Sequence, residues 1–98
     1  MSYEVRFSRD AERQLGELDA RDRNIILVTI EEQLTHQAEV PTRHRKLLRE
    51  NPLADWELRV GEYRVFYDIE DDPNVVTILA ISVKAHSTLR IDDKEIQL

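Results

Sequence analysis

The start of the chain combines a strand pattern with a helical one. Residues 3–7, YEVRF, alternate between apolar and charged side chains, which is the period of a β-strand. Ser8 then suits the N-cap of a helix. Ala11, Leu15 and Leu18 follow at the spacing of one helical face. The pattern therefore predicts a strand followed directly by a short helix.

A second helical pattern runs from about residue 21 to residue 37. Asp19 precedes it as a second N-cap residue. Its apolar stripe consists of Ile26, Leu27, Ile30 and Leu34. Pro41 marks its end, because the residue before a proline is disfavoured in the α conformation. We expect two antiparallel helices joined by a few residues.

The second half of the chain has the pattern of three strands. Residues 56–60 and 63–69 alternate and flank Gly61-Glu62, where glycine supplies the positive φ of a two-residue hairpin loop. After the turn 70–74, residues 75–83, VVTILAISV, are apolar on both faces, as in a central strand. The order β-α-α-β-β-β predicts one α+β domain over residues 1–98, an antiparallel sheet with two N-terminal helices packed on one face.

The hairpin register implied by this loop places Arg59 directly opposite Arg64. Alternation assigns one apolar face to the helices, comprising Trp56, Leu58, Val60, Tyr63, Val65, Tyr67 and Ile69. Glu57, Phe66 and Asp68 share the other face with the two arginines. Like charges directly opposite each other are unfavourable. Either the carboxylates of that face neutralise the arginines, as on an ordinary mixed strand face, or an anionic ligand binds them.

Composition limits the classes of partner. The chain of 98 residues has 14 Lys and Arg against 20 Asp and Glu, a net charge of −6, with 41% hydrophobic and 35% charged residues. This balance argues against a protein that coats nucleic acid, but it is compatible with a local basic site. The absence of cysteine excludes disulfides and cysteine-bound metal and fits the cytoplasm. No apolar run approaches the roughly 20 residues of a membrane helix, so no membrane association is expected.

Two basic groups are candidates for contact with phosphate. Lys84, His86 and Arg90 follow the last predicted strand, and pairing of that strand with residues 63–70 would bring them near Arg59 and Arg64. Arginine offers fork-like donors to phosphate oxygens, and histidine titrates near neutrality.

The connection between the second helix and the hairpin carries the other group, Arg43, Arg45 and Lys46. These residues either contact a partner or form a solvated loop. His36 and His44 lack a partner at metal-ligand spacing, so neither a metal nor a cofactor is expected.

The hairpin LRVGEYRVFYDI, the apolar strand VVTILAISV and the basic residue after it resemble the RelE/ParE superfamily of bacterial and archaeal toxins. The element order is similar as well. The resemblance implies the toxin of a type II toxin–antitoxin pair. One branch of the superfamily cleaves messenger RNA in the ribosomal A site, and the other poisons DNA gyrase. Glu57 departs from the pattern, because a lysine is expected at that position.

In the RNA-cleaving branch, the resemblance implies that Arg64 holds the scissile phosphate and that Lys84, His86 and Arg90 supply further catalytic groups. The 2′-hydroxyl of the RNA is the nucleophile, so the reaction needs no metal. Arg64 and Arg59 suit charge stabilisation, and His86 suits acid–base catalysis. Lys84 serves as an acid or base only if its pKa is depressed. Phe66 is the candidate to stack on a base.

The implied partners are a cognate antitoxin and messenger RNA on the ribosome, with DNA reached only through the antitoxin. Arg43, Arg45 and Lys46 are candidates to contact the RNA or the antitoxin. The RNA-cleaving activity is the preferred hypothesis. A non-enzymatic gyrase inhibitor, or a degenerate member that only binds its antitoxin, is the alternative, and the acidic balance favours it. An unrelated α+β interaction domain is the third possibility.

Overall fold

The computed structural model describes residues 2–71, 74–85, 88–91 and 94–97. Its elements are β1 (Glu4–Phe7), α1 (Arg9–Gly16), α2 (Ala20–Leu34), β2 (Arg45–Leu47), β3 (Trp56–Val60), β4 (Tyr63–Asp71), β5 (Asn74–Ala85), β6 (Thr88–Ile91) and β7 (Lys94–Gln97). The predicted α+β class and the two N-terminal helices are confirmed. Strands β2, β6 and β7 were not predicted, and α2 ends before the predicted residue 37.

The strands form one sheet in the order β2-β3-β4-β5-β6-β7, in which all neighbours are antiparallel. β1 lies off this path and pairs with β5 in parallel, from Glu4 opposite Val75 to Phe7 opposite Ile78. The predicted antiparallel sheet therefore contains one parallel pair. β4 occupies one edge of β5, while β1 and β6 share the other. This position explains why β5 is apolar on both faces, as predicted for a central strand.

The start of α1 completes the edge of β5 between β1 and β6. The backbone N–H of Ser8 donates to the carbonyl of Ile78 at 2.9 Å, and its hydroxyl donates to the carbonyl of Leu79 at 3.0 Å. The buried side chain of Gln14 accepts a hydrogen bond from the N–H of Ile81 at 2.7 Å. Buried backbone groups require such partners, so α1 supplies here what a neighbouring strand would supply elsewhere.

Both predicted N-caps are present. The Ser8 hydroxyl accepts from the N–H of Ala11 at 3.1 Å, and the Asp19 carboxylate accepts from the N–H of Asp22 at 2.8 Å. These bonds satisfy donors that have no partner within the first turn of a helix. Neither helix of the described residues has the length and apolar character needed to cross a membrane.

The main core lies between the helices and one face of the sheet. Its fully buried members include Ile26 and Leu34 of α2 and Leu58, Val65 and Tyr67 of the hairpin. The rings of Trp56 and Tyr67 stack with centroids 5.9 Å apart. The predicted apolar face of the hairpin is confirmed, because its residues pack in this core or against it.

A second, smaller core covers part of the opposite face of the sheet, which we call the outer face. It contains Ala54, Phe66 and Ala80, with Leu48, Leu53 and Leu79 packed against them. The segment 48–55 forms its cover, and Asn51 organises that segment. The Asn51 amide donates to the carbonyls of Arg49 and Ala54 at 2.7 and 3.0 Å. Its oxygen accepts from the N–H groups of Leu53 and Ala54 at 2.8 and 3.2 Å.

Candidate functional site

The β3–β4 hairpin sets the positions of the two arginines. Arg59 pairs with Arg64 across the two strands, and Val60 pairs with Tyr63 beside the loop. Gly61 has a φ of 59°, the left-handed conformation that the tight loop requires. The predicted register is confirmed. Both arginines occupy strand positions that alternate with those of the main core, which places them on the outer face.

Glu57 joins the two arginines. Its Oε2 atom accepts a hydrogen bond from Nη1 of Arg64 at 2.7 Å and one from Nε of Arg59 at 3.3 Å. Glu57 is 3% exposed and Arg64 is 9% exposed, whereas the Arg59 side chain remains 44% exposed. Asp68, the other predicted neutralising carboxylate, instead accepts from the N–H of Asp55 at 2.6 Å. The structure therefore shows the arginines sharing one internal carboxylate, and we call these three residues the Arg–Glu–Arg cluster.

The β4–β5 register relates the cluster to the basic residues that follow β5. A shift in register between Phe66 and Tyr67 leaves Arg64 opposite Ser82, and Lys84 stands two positions further along β5. Arg90 pairs with Val83, which lies between Ser82 and Lys84 on β5 and alternates with them. The side chains of Lys84 and Arg90 lie outside what the structure describes, and His86 lies outside the described residues. The predicted roles of these three residues stay predictions.

Phe66, the residue predicted to stack on an RNA base, is buried in this structure. Phe66 lies on the outer face as expected, but its side chain is 0% exposed within the second core. Leu48 and Leu53 of the covering segment pack around that core. The sequence signal for this cover was the presence of Leu48, Leu53 and Ala54 in a largely polar connection. Base stacking would require the segment to leave the sheet and expose apolar surface to water.

Arg45, which was predicted to contact RNA, is an internal anchor in this structure. It is 4% exposed. Its Nη1 atom donates to the backbone and side-chain oxygens of Gln33 at 2.9 and 2.6 Å, and its Nε atom donates to the carbonyl of Val40 at 2.9 Å. Arg45 thus joins β2 to the end of α2. Its neighbours Arg43 and Lys46 are exposed, so their predicted contact with RNA stays a prediction.

An apolar groove lies on the helical side of the molecule, between β1 and α2. Its volume is about 200 Å³, and its lining is formed by Val5, Phe7, Leu27, Ile30, Glu31 and Thr35. Leu27, which was predicted to belong to the apolar stripe of α2, is only half-buried and forms part of this groove. On the same helix, Ile25 and Val28 are about half exposed, at 49% and 53%. The helical side therefore exposes apolar surface.

The Arg–Glu–Arg cluster carries two positive charges and one negative charge. The exposed guanidinium of Arg59 has fork-like donors that can approach an anion from solvent. Lys46 lies directly opposite Glu57 on β2, which adds an exposed cation beside the cluster. The outer face therefore has a local positive charge on a chain whose net charge is −6.

Comparison with known proteins agrees with this architecture. Residues 5–86 match the model of the family described as the ParE toxin of the type II toxin-antitoxin system, parDE. Toxin RelG of Mycobacterium tuberculosis (strain ATCC 25618 / H37Rv) is 33% identical over 85 residues, which cover 87% of this chain and 94% of that protein.

Two solved structures share the fold. The toxin-antitoxin complex RelBE2 of Mycobacterium tuberculosis matches with a TM-score of 0.69 and 30% identity, covering 86% of this chain and 100% of the other. The archaeal RelE-RelB complex of Pyrococcus horikoshii OT3 matches with a TM-score of 0.69 and 20% identity, covering 88% of this chain and 99% of the other. The chain therefore belongs to the ParE toxin family of type II toxin–antitoxin systems, within the RelE/ParE superfamily.

Proposed function

We propose that this toxin arrests growth by cleaving messenger RNA on the ribosome, in the cytoplasm. The observation that carries the proposal is the position of Arg64. Arg64 stands beside Arg59 on the outer face and pairs with Ser82 of β5. Lys84 lies two positions after Ser82 on the same strand. An arginine pair next to the basic end of the central strand suits a phosphate that gains charge during cleavage.

In this reaction the 2′-hydroxyl of the RNA attacks the adjacent phosphate, and the bond to the 5′-oxygen breaks. Arg64, with Arg59, stabilises the charge that develops on the phosphate oxygens. His86 exchanges the proton of the nucleophile or of the leaving group, with Lys84 and Arg90 as further basic groups of the same segment. Arg43 and Lys46 contact the RNA backbone outside the reacting phosphate.

A second candidate function is growth arrest without cleavage, by inhibition of DNA gyrase or by antitoxin binding alone. Glu57 favours it, because this carboxylate already neutralises much of the charge that Arg64 would offer to a phosphate. A toxin that acts by binding does not need a free phosphate site. The family whose model the chain matches is also named for ParE.

We also propose that the partner of the chain is a cognate antitoxin, as in the two complexes that share its fold. The apolar groove between β1 and α2, with the exposed Ile25 and Val28 on α2, suits an apolar face of an antitoxin helix or strand. DNA contact is reached through the antitoxin. Nothing in this arrangement calls for a membrane.

The test is induced expression in bacteria, followed by growth curves and by primer extension on an abundant message. The wild type is compared with Arg64→Ala, with His86→Ala and with the control Arg21→Ala, which removes an exposed arginine at the start of α2. Removal of one stabilising or proton-transferring group typically lowers a rate by about 10²–10⁴. We expect arrest and new cuts in the A site for the wild type and the control, and neither for the two site variants.

Arrest without new cuts would contradict the RNA-cleaving proposal and favour gyrase or another target. Absence of arrest, with a folded protein, would identify a member that only binds its antitoxin. In either case, co-expression with a candidate antitoxin tests the partner separately, since a cognate antitoxin restores growth and co-purifies with the chain.

A further inference from the structure

We propose that Glu57 is an internal anion that competes with RNA phosphate for Arg59 and Arg64, and that this residue sets a low RNA affinity for this toxin. The inference deepens the proposed function, on which it rests for the identity of the ligand. It concerns binding by the outer face and can be tested without cleavage.

The geometry of the Arg–Glu–Arg cluster resembles that of a phosphate held between two arginines. One oxygen, Oε2 of Glu57, accepts from both arginines at 2.7 and 3.3 Å. A phosphate oxygen that bridges two guanidinium groups has the same donors, since carboxylate and phosphate are both recognised by the arginine fork. Glu57 therefore occupies the position that a bridging phosphate oxygen would take.

The contact between Glu57 and Arg64 is buried. The Glu57 side chain is 4% exposed and that of Arg64 is 11% exposed, so water screens their interaction weakly. The covered outer face holds Glu57 close to Phe66, the residue opposite it on β4. Phosphate reaches Arg64 only if it displaces this carboxylate or accepts its charge at close range, and both reduce affinity.

A third cation, Lys46, stands near the two arginines. Lys46, Arg59 and Arg64 stand at neighbouring positions of β2, β3 and β4 on the outer face, with Glu57 as the anion that contacts both arginines. Without the carboxylate, this face would present three adjacent cations, the kind of electrostatic surface that single-stranded nucleic acid requires. Glu57 therefore neutralises part of the positive charge of this face from a buried position.

The experiment measures binding of a short fluorescein-labelled single-stranded RNA by fluorescence anisotropy. All riboses of this RNA are 2′-O-methylated, so it cannot be cleaved by attack of a 2′-hydroxyl. The variant Glu57→Gln keeps the size and one acceptor of the side chain and removes its charge. The control Glu62→Gln makes the same change of charge at an exposed position of the hairpin loop. The double variant Glu57→Gln/Arg64→Gln tests whether any gain passes through Arg64.

We expect Glu57→Gln to bind about tenfold more tightly than the control, since one more charge-assisted hydrogen bond becomes available to phosphate. The slope of log affinity against log salt should steepen by about 0.7, the value for one additional phosphate on a single strand. The double variant should lose this gain. Affinities of Glu57→Gln and the control within about twofold of each other would overturn the inference.

Loss of a buried carboxylate can also prevent folding, so a second variant is included. Glu57→Asp keeps the charge but withdraws it by one methylene from the arginines, and its affinity should fall between those of the wild type and Glu57→Gln. If Glu57→Gln does not fold, an Asp variant with wild-type affinity overturns the inference. Tighter binding by Glu57→Gln, together with no new cuts in the expression test, would support the role of Glu57 and contradict only the RNA-cleaving proposal. New cuts by the wild type in that test, together with unchanged binding in the variants, would support the RNA-cleaving proposal and contradict only the role of Glu57.

Discussion

The substitution Arg45→Ala tests a structural role that distinguishes Arg45 from its exposed neighbours Arg43 and Lys46. Arg45 donates three hydrogen bonds, two to Gln33 and one to Val40, and is 4% exposed. These bonds join the edge strand β2 to the last turn of α2 and the residues after it. Alanine leaves the three oxygens without this donor and leaves space where the long side chain was packed.

The expected loss follows from the number and type of these bonds. A hydrogen bond from a charged donor contributes about 1.5–3 kcal/mol, and bonds made by one side chain do not add fully. Gln33 is only half-buried and Val40 is exposed, so water replaces part of what is lost. We therefore expect the free energy of unfolding to fall by about 2–4 kcal/mol. For a domain of this size, that lowers Tm by roughly 10–25 °C.

The assay is thermal and urea unfolding followed by circular dichroism, with Arg43→Ala as the matched control. Arg43 lies two residues earlier and is exposed, so its removal should change the free energy of unfolding by at most about 0.5 kcal/mol. In the anisotropy assay the order should be reversed. At a temperature where both variants are folded, Arg43→Ala should weaken RNA binding and Arg45→Ala should leave it unchanged.

An Arg45→Ala variant that unfolds within about 0.5 kcal/mol of the wild type would refute this reasoning. The hydrogen bonds of Arg45 would then be exchanged for water at no net cost. Equal losses of stability in Arg43→Ala and Arg45→Ala would also refute it, because they would show that the basic segment contributes through charge alone.

Three other substitutions test further parts of the structure. Phe66→Ala should lower the free energy of unfolding in urea titrations by about 3–5 kcal/mol, because a buried aromatic ring is lost. Phe66→Leu should lower it much less. A small effect of Phe66→Ala would show that the second core is loosely packed. Asn51→Ala removes the four hydrogen bonds by which Asn51 organises the covering segment. It should lower the free energy of unfolding by about 1–3 kcal/mol and speed limited proteolysis between residues 48 and 55. An unchanged rate of proteolysis would contradict this role of Asn51. The hydrogen bond from Tyr63 to Asp22 raises the pKa of the Tyr63 hydroxyl from 10.0 to about 12, so the stabilisation by this bond is present below pH 10 and is lost as the pH rises towards 12. When unfolding is followed across that pH range, the alkaline loss of stability should be smaller in Tyr63→Phe than in the wild type. Identical pH profiles of the two proteins would exclude the bond as the cause.

The hairpin was the part of the fold most accessible from sequence, and its physics explains why. A glycine in the left-handed conformation fixes a two-residue loop, the loop fixes the register, and strand alternation then assigns every side chain to a face. These are local rules, so the pairing of Arg59 with Arg64 and the apolar face with Trp56 and Tyr67 followed from 14 consecutive residues, 56–69. The N-caps Ser8 and Asp19 were predicted for the same reason.

The second core could not be predicted from local patterns, because it depends on a long segment folding back over the sheet. A face with Glu57, Arg59, Arg64 and Asp68 has the pattern of a solvated surface, and Phe66 alone did not change that interpretation. The position of β1 was inaccessible for a similar reason. Its parallel pairing with β5 joins residues that are about 70 positions apart, and alternation within either strand carries no information on that pairing.

For the candidate site, the pairing of Arg59 with Arg64 was predicted, but the carboxylate that forms ion pairs with them was only partly predicted. Glu57 was recognised as a possible neutralising group, but geometry alone decided between Glu57 and Asp68, since both carboxylates lie on the outer face. Asp68 is drawn away by the N–H of Asp55, at the end of the covering segment. The same segment that hides Phe66 therefore also leaves Glu57 as the carboxylate that contacts both arginines.

The central position of β5 has a consequence for synthesis of the chain. β1 and α1 leave the ribosome early, but the strand that holds both of them comes about 70 residues later. Folds dominated by such distant pairings have high contact order and form slowly, because the closure of a long loop precedes the gain from its contacts. A nascent chain that ends before Asn74 has helices and a hairpin but no strand to unite them. Assembly of the toxin is therefore a late event of translation, whatever target the finished protein acts on.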